Sequence, residues 1–116
     1  FMKNIGSCHC GNIRFEVEGD IDYCMSCNCS ICLRKGSLLW FAPLNAFSLL
    51  TSGDQVGSYT FNQHMIHHKF CQICGVSPYA EGIDPAGNKM AAINIRCIED
   101  IDLDSIPVQH YDGKAA

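Results

Sequence analysis

Four thiols fall within nine residues in the stretch Cys24-Met25-Ser26-Cys27-Asn28-Cys29-Ser30-Ile31-Cys32. Such crowding fits thiolate chemistry or a bound metal. Cys27, Cys29 and Cys32 together offer a zinc ion three ligands and leave its fourth position open to water or substrate. That is the arrangement of catalytic zinc sites, whereas structural ones are closed. Spacing alone leaves other assignments open. Cys24 would close the site as a fourth ligand and make it structural. An iron–sulfur cluster fits less well, because the spacing does not match the common ferredoxin runs.

The second set begins with Cys71-Gln72-Ile73-Cys74-Gly75. Two cysteines three apart span a tight turn, and the glycine after them permits the left-handed backbone such a turn needs. A pair supplies half a tetrahedron. Cys8 and Cys10 are its natural complement, giving a four-thiolate structural zinc that ties the start of the chain to its middle. The competing readings are a buried pair of unrelated thiols, or a redox pair, which normally needs a βαβ context absent here. Cys97 lies in an apolar run and reads as a small buried hydrophobe.

Other candidates are less specific. His67 and His68 are adjacent, so in a strand they face opposite sides. One of them is within range of the site as an acid–base group or fourth ligand, but a satisfied strand histidine is the simpler expectation. His9, between two ligands, is expected to point away from the metal. Arg34 and Lys35 follow Cys32 and suit either the carboxylate of an anionic substrate or a solvated turn. Trp40 and Phe41 suit a pocket wall or, preferably, core packing. There is no serine nucleophile motif, phosphate loop or dinucleotide fingerprint.

The elements that must hold these groups read as short strands. Ile13, Phe15 and Val17 alternate with Arg14, Glu16 and Glu18, the period of a half-buried strand. An extended run follows from Ile21 to Cys29. Ser30 is placed to cap a helical turn through Lys35 that Gly36 ends, swinging Cys32 back towards Cys27 and Cys29. Further strands are expected over 38–42, 47–51, 57–62, 65–70 and 90–97. One over 76–80 would be an edge because of Pro78, and another over 108–111 would add an edge. The pattern is mainly β, a sandwich or partly open barrel with short helical turns. With 116 residues and an apolar share of 47%, the chain (1–116) suits one domain.

Net charge is −4, and the eight Lys and Arg residues are scattered. Nucleic-acid binding would need a basic stripe to displace counterions, and none is visible. The most apolar run, Leu38 to Leu50, is interrupted by Pro43 and Asn45 and is short of the ~20 residues that span a bilayer. No apolar leader precedes Cys8, and Phe1 ahead of Met2 reads as an addition to the natural start. The expectation is a soluble, cytoplasmic protein that binds neither nucleic acid nor membrane. In a reducing compartment the nine cysteines point to metal rather than disulfides.

Three motifs in one order, Gly6-Ser7-Cys8-His9-Cys10-Gly11, Cys27-Asn28-Cys29-Ser30-Ile31-Cys32-Leu33-Arg34-Lys35 and Phe70-Cys71-Gln72-Ile73-Cys74-Gly75, resemble the glutathione-dependent formaldehyde-activating enzyme family. That family includes centromere protein V. The run from Asn94 to Ile98 and the segment His110-Tyr111-Asp112-Gly113 are similar to one branch of it. The resemblance implies an Mss4-like fold, a structural zinc on Cys8, Cys10, Cys71 and Cys74, and a catalytic zinc on Cys27, Cys29 and Cys32. It also implies a carbon–sulfur lyase that condenses glutathione with formaldehyde to an S-hydroxymethyl adduct. Two positions depart from the family pattern: Asn28 stands where the family often has His, and Cys24 is an extra thiol. The expected function is therefore a zinc-dependent carbon–sulfur lyase acting on glutathione or a related thiol and a small aldehyde, with two zinc ions per chain. The rival is a non-catalytic zinc module that binds thiols, metal or a protein, and a redox protein using Cys24–Cys27 or Cys71–Cys74 is a third reading.

Overall fold

The computed structural model describes residues 2–115. Phe1, read above as an addition, lies outside the described residues. In chain order the strands are β1 (Lys3–Ser7), β2 (Arg14–Glu18), β3 (Cys24–Cys27), β4 (Leu39–Pro43), β5 (Phe47–Leu49), β6 (Val56–Tyr59), β7 (His67–Cys71), β8 (Tyr79–Ile83), β9 (Lys89–Asn94) and β10 (Val108–Tyr111). Helix α1 (Ser30–Lys35) joins β3 to β4, and short 3-10 turns cover Leu44–Ala46, Ile95–Cys97 and Leu103–Ser105. The protein is mainly β, and its two sheets do not close into a barrel. No described helix is long and apolar enough to cross a membrane.

The smaller sheet runs β1-β2-β5 and is antiparallel throughout. The larger runs β10-β3-β4-β9-β8-β7-β6, antiparallel except that β10 lies parallel to β3. The core sits between them. Phe15 and Val17 of β2 turn inward from their charged neighbours and are fully buried. The Phe15 ring lies 5.3 Å from that of Phe47, which in turn lies 4.5 Å from Tyr79 of the opposite sheet. Trp40, Ile93 and Ile95 complete this layer. Burial of these large side chains is what orders the sheets, at roughly 1.5–3 kcal/mol for each.

The structure departs from the expected elements in several places. β1 has no alternating apolar signal, yet it pairs with β2 over its whole length because Gly6 leaves room for the Phe15 ring. The strand expected at an edge over 76–80 is β8, an interior strand between β9 and β7. Pro78 lies just before it, and its carbonyl accepts the Asn94 N–H at 2.9 Å. The run from Met90 to Cys97 is not one strand. Asn94 accepts the Arg96 N–H through its side chain and turns the chain into a 3-10 turn. Cys97 is therefore half-buried outside the sheet. Ser30 is not the cap of α1; Cys29 occupies that position, and Gly36, at φ +68°, ends the helix by donating to the Cys32 carbonyl at 2.9 Å.

Candidate functional site

The first thiol group joins the turn after β1 to the turn after β7. The sulfurs of Cys8, Cys10, Cys71 and Cys74 all lie within 4.8 Å of one another. Cys10 Sγ is 3.7 Å from that of Cys8 and 3.6 Å from that of Cys71. A tetrahedron with Zn–S bonds of ≈ 2.3 Å has an edge of about 3.8 Å, so the group fits such an ion. Backbone amides surround it. Ile13 donates to Cys8 Sγ at 3.3 Å, and Ile73 and Cys74 donate to Cys71 Sγ at 3.4 Å. Gly75, at φ +81°, donates to the Cys71 carbonyl and closes the turn. The amides of Val76 and Cys10 bring the Cys74 thiol down to about 6. The Asn12 amide groups lower Cys10, whereas burial raises Cys8. His9 is exposed and outside this group.

The second group is a tripod. Cys27 ends β3, Cys29 caps α1 and Cys32 lies in its first turn. Their sulfurs also lie within 4.8 Å of one another, all half-buried. Cys24 is not among them. Residues three apart in a strand face opposite sides, and Cys24 points into the core, where burial raises its pKa. A closed site with Cys24 as fourth ligand is therefore overturned. Burial, reinforced by the neighbouring Cys29 and Cys27 thiols, pushes Cys32 up to about 12. Burial also opposes ionisation of Cys29, but the Cys32 amide, the Cys32 and Cys27 thiols and the Ile31 amide together outweigh it and lower its pKa.

Residues 111–113 form one wall of the tripod. Asn28, between two of the thiols, donates through Nδ2 to Asp112 Oδ1 at 2.9 Å and accepts the Lys114 N–H at 3.0 Å. Gly113 is then so close that a Cβ there would stand 2.5 Å from Cys27 Sγ.

The tripod opens onto a hollow of about 340 Å³ over the outer face of the larger sheet. One register row explains the space: Phe41 of β4 pairs with Ala92 of β9, Ala92 with Ala80 of β8, and Ala80 with His68 of β7. Two alanines thus make the floor, and rings stand at either side. A second hollow of about 400 Å³ shares Phe41, Ile66, Ala80 and Ala92 with the first. A larger depression of about 630 Å³ beside Pro43 and Asn88 contains no thiol.

The uncertain candidates separate here. Trp40 is core, whereas Phe41 is part-exposed and lines the hollow. Lys35 is half-buried against the hollow, and burial lowers its pKa. Arg34 turns away and donates to the Ser30 carbonyl at 2.8 Å. His67 is exposed. His68 is buried beside the hollow with its Nδ1 unpartnered, so the expectation of a satisfied strand histidine fails. Its ring stacks at 5.7 Å on Phe61. Burial, with Lys35 and His67 adding repulsion, lowers its pKa and keeps it neutral. Sequence reasoning missed Phe61, Ile66 and the wall at 111–113. Only the apolar character of Phe61 and Ile66 hinted at their role.

The family model described as "Glutathione-dependent formaldehyde-activating enzyme" matches residues 3–111. Among solved structures, the chain is similar to a Rhodobacter sphaeroides protein known from a crystal structure. The two superpose with a TM-score of 0.78 at 25% identity, covering 93% of this chain and 100% of that one.

Proposed function

The chain belongs to the glutathione-dependent formaldehyde-activating enzyme family, and we propose that it is a single zinc-binding domain acting as a carbon–sulfur lyase at Cys27, Cys29 and Cys32. The observation that carries this reading is the tripod itself: three half-buried thiols within 4.8 Å, opening on a hollow that also receives Lys35 and His68. The four-thiol group is assigned a closed structural zinc, since it offers a complete tetrahedral donor set. A zinc on the tripod would supply an open coordination position with Lewis acidity.

The chain's own residues supply the rest. In the forward direction the thiol sulfur bonds to the aldehyde carbon, the carbonyl π pair moves to oxygen, and the proton lost by sulfur ends on that oxygen. Nothing is oxidised. His68, a neutral ring lining the hollow, is the group assigned to carry that proton. Lys35 is placed to hold an acid group of the substrate. Phe41, Phe61 and Ile66 limit water at the reacting atoms. At the level of the family, the partners are glutathione and a small aldehyde.

The test is acceleration of S-hydroxymethyl adduct formation above the uncatalysed rate, followed by exchange NMR on zinc-loaded protein. The expected result is acceleration that Cys29→Ser abolishes while the four-thiol zinc is retained. A rate equal to buffer alone, at two zinc ions per chain, would replace the lyase by a non-catalytic metal module.

A further inference from the structure

The hollow beside the tripod is built for little polarity. Met25, Ile31, Leu39, Phe41, Phe61 and Ile66 face it. Two of its polar side chains, Ser77 and Asn94, are engaged elsewhere. Ser77 Oγ donates to the Lys69 carbonyl at 2.6 Å, while Asn94 donates to the Ser77 carbonyl and accepts the Arg96 N–H. Lys35 is the one fixed cation among the residues lining the hollow, since Arg34 is turned onto its own helix. Glutathione carries two carboxylates, an ammonium group and two peptide units. One lysine cannot answer both acids, and each polar group left unpaired in an apolar site counts against binding.

The space continues away from Lys35. Over the alanine floor, past Phe41 and Ile66, the second hollow is walled by Ile83, Pro85 and Met90. Glu81 and Asp84 border it. Glu81, next to Ala80 in the strand, turns its side chain to the other face of the sheet. Asp84, whose carboxylate accepts the Ala86 and Asn88 N–H groups, sets negative charge at that end against a second acid and leaves the apolar walls for a hydrocarbon.

We propose that the thiol substrate of this site is an amphipathic monoanion, with one acid group at Lys35 and an apolar body lying over Ala80 and Ala92 towards Ile83. This rests on the carbon–sulfur reading above and names its substrate class.

The test separates recognition from reaction by using probes with no free thiol. Calorimetric titration of zinc-loaded protein compares 4-phenylbutyrate, its uncharged amide and S-methylglutathione. The acid is expected to bind about tenfold more tightly than either of the others, the loss expected from one partly buried charge pair. Lys35→Met should weaken the acid by a similar factor and leave the amide unchanged, and the amide comparison holds even if that variant misfolds. Ala92→Phe, which fills the floor, should weaken both. Tighter binding of S-methylglutathione, or no difference between acid and amide, overturns the proposal. Selective binding of the acid without accelerated adduct formation for any thiol supports the pocket assignment and removes the lyase reading. Faster turnover of glutathione than of an apolar mercapto acid overturns the assignment and leaves the lyase reading intact.

Discussion

Asn28 and Asp112 are joined by a 2.9 Å hydrogen bond across a separation of 84 residues. The residue between two thiols of the tripod thus grips the segment that covers it, and Gly113 is thereby held against Cys27. Gly113→Ala should displace one or the other. Zinc at the tripod is expected to be lost faster to a chelator, with little change in unfolding temperature. Asn28→Ala should do the same more mildly, since its hydrogen bonds are exposed. Unchanged release of the more labile zinc in both variants would show that the wall has no part in metal retention.

The two thiol groups should respond differently to removal of one ligand. Cys71 is fully buried and joins strands distant in sequence, so Cys71→Ser is expected to abolish cooperative unfolding near room temperature. Cys29→Ser should keep a folded chain with one zinc. Elemental analysis and thermal unfolding of both variants check this pair. A folded Cys71→Ser protein with one zinc would reverse the roles assigned here.

Metal loading should follow pH in a fixed order. Metal binding requires thiolates, so a thiol with a lowered pKa is ready at lower pH and one with a raised pKa must release its proton to the metal. In the four-thiol group Cys74 is lowered to about 6 and Cys10 is lowered with it, against a Cys8 raised by burial. In the tripod Cys29 is lowered but Cys32 is held up to about 12, the furthest of these from ionisation. Titrating metal-free protein with cobalt, whose thiolate bands report on each group, should fill the four-thiol site at the lower pH. Filling of the tripod first would contradict the order.

His68 predicts opposite effects on stability and activity. Its pKa is lowered by burial and by Lys35 and His67 nearby, so the folded chain holds it neutral. The unfolded chain takes up a proton below about pH 6.5. The unfolded state then binds more protons, and stability present above that pH is lost as pH falls further. His68→Phe removes this loss and also the unpartnered Nδ1, which costs about 1–3 kcal/mol. The variant should melt higher than the parent, with the gap widening from about pH 7 to about pH 5.5, and should form adduct more slowly. A lower melting point at both pH values would mean that His68 is held by a bond the fold needs.

Both thiol groups were legible in the sequence because ligand spacing is local: a Cys-x-Cys pair and a Cys-x-x-Cys turn each fix two sulfurs within a few residues. The exclusion of Cys24 was not read from spacing, because it needs Cys24 and Cys27 to share one strand, where parity sends them to opposite faces. The choice between Trp40 and Phe41 was not, because both are aromatic and only the register with Ile93 and Ala92 says which faces the core. The same holds for His68, whose side of β7 depends on where the strand begins. Pro78 misled because a proline one residue before a strand leaves that strand free to pair on both sides. The grip of Asn28 on Asp112 has no local signal at all.

The parallel pairing of β10 with β3 bears on how the protein is made. Cys27, Cys29 and Cys32 leave the ribosome 80 to 85 residues before Asp112, the partner of Asn28. At ≈ 5–20 residues per second that delay is roughly 4–17 s. During it the tripod stands on an uncovered strand, and whatever soft metal or oxidant the compartment holds meets these thiols before Tyr111 and Gly113 close over them.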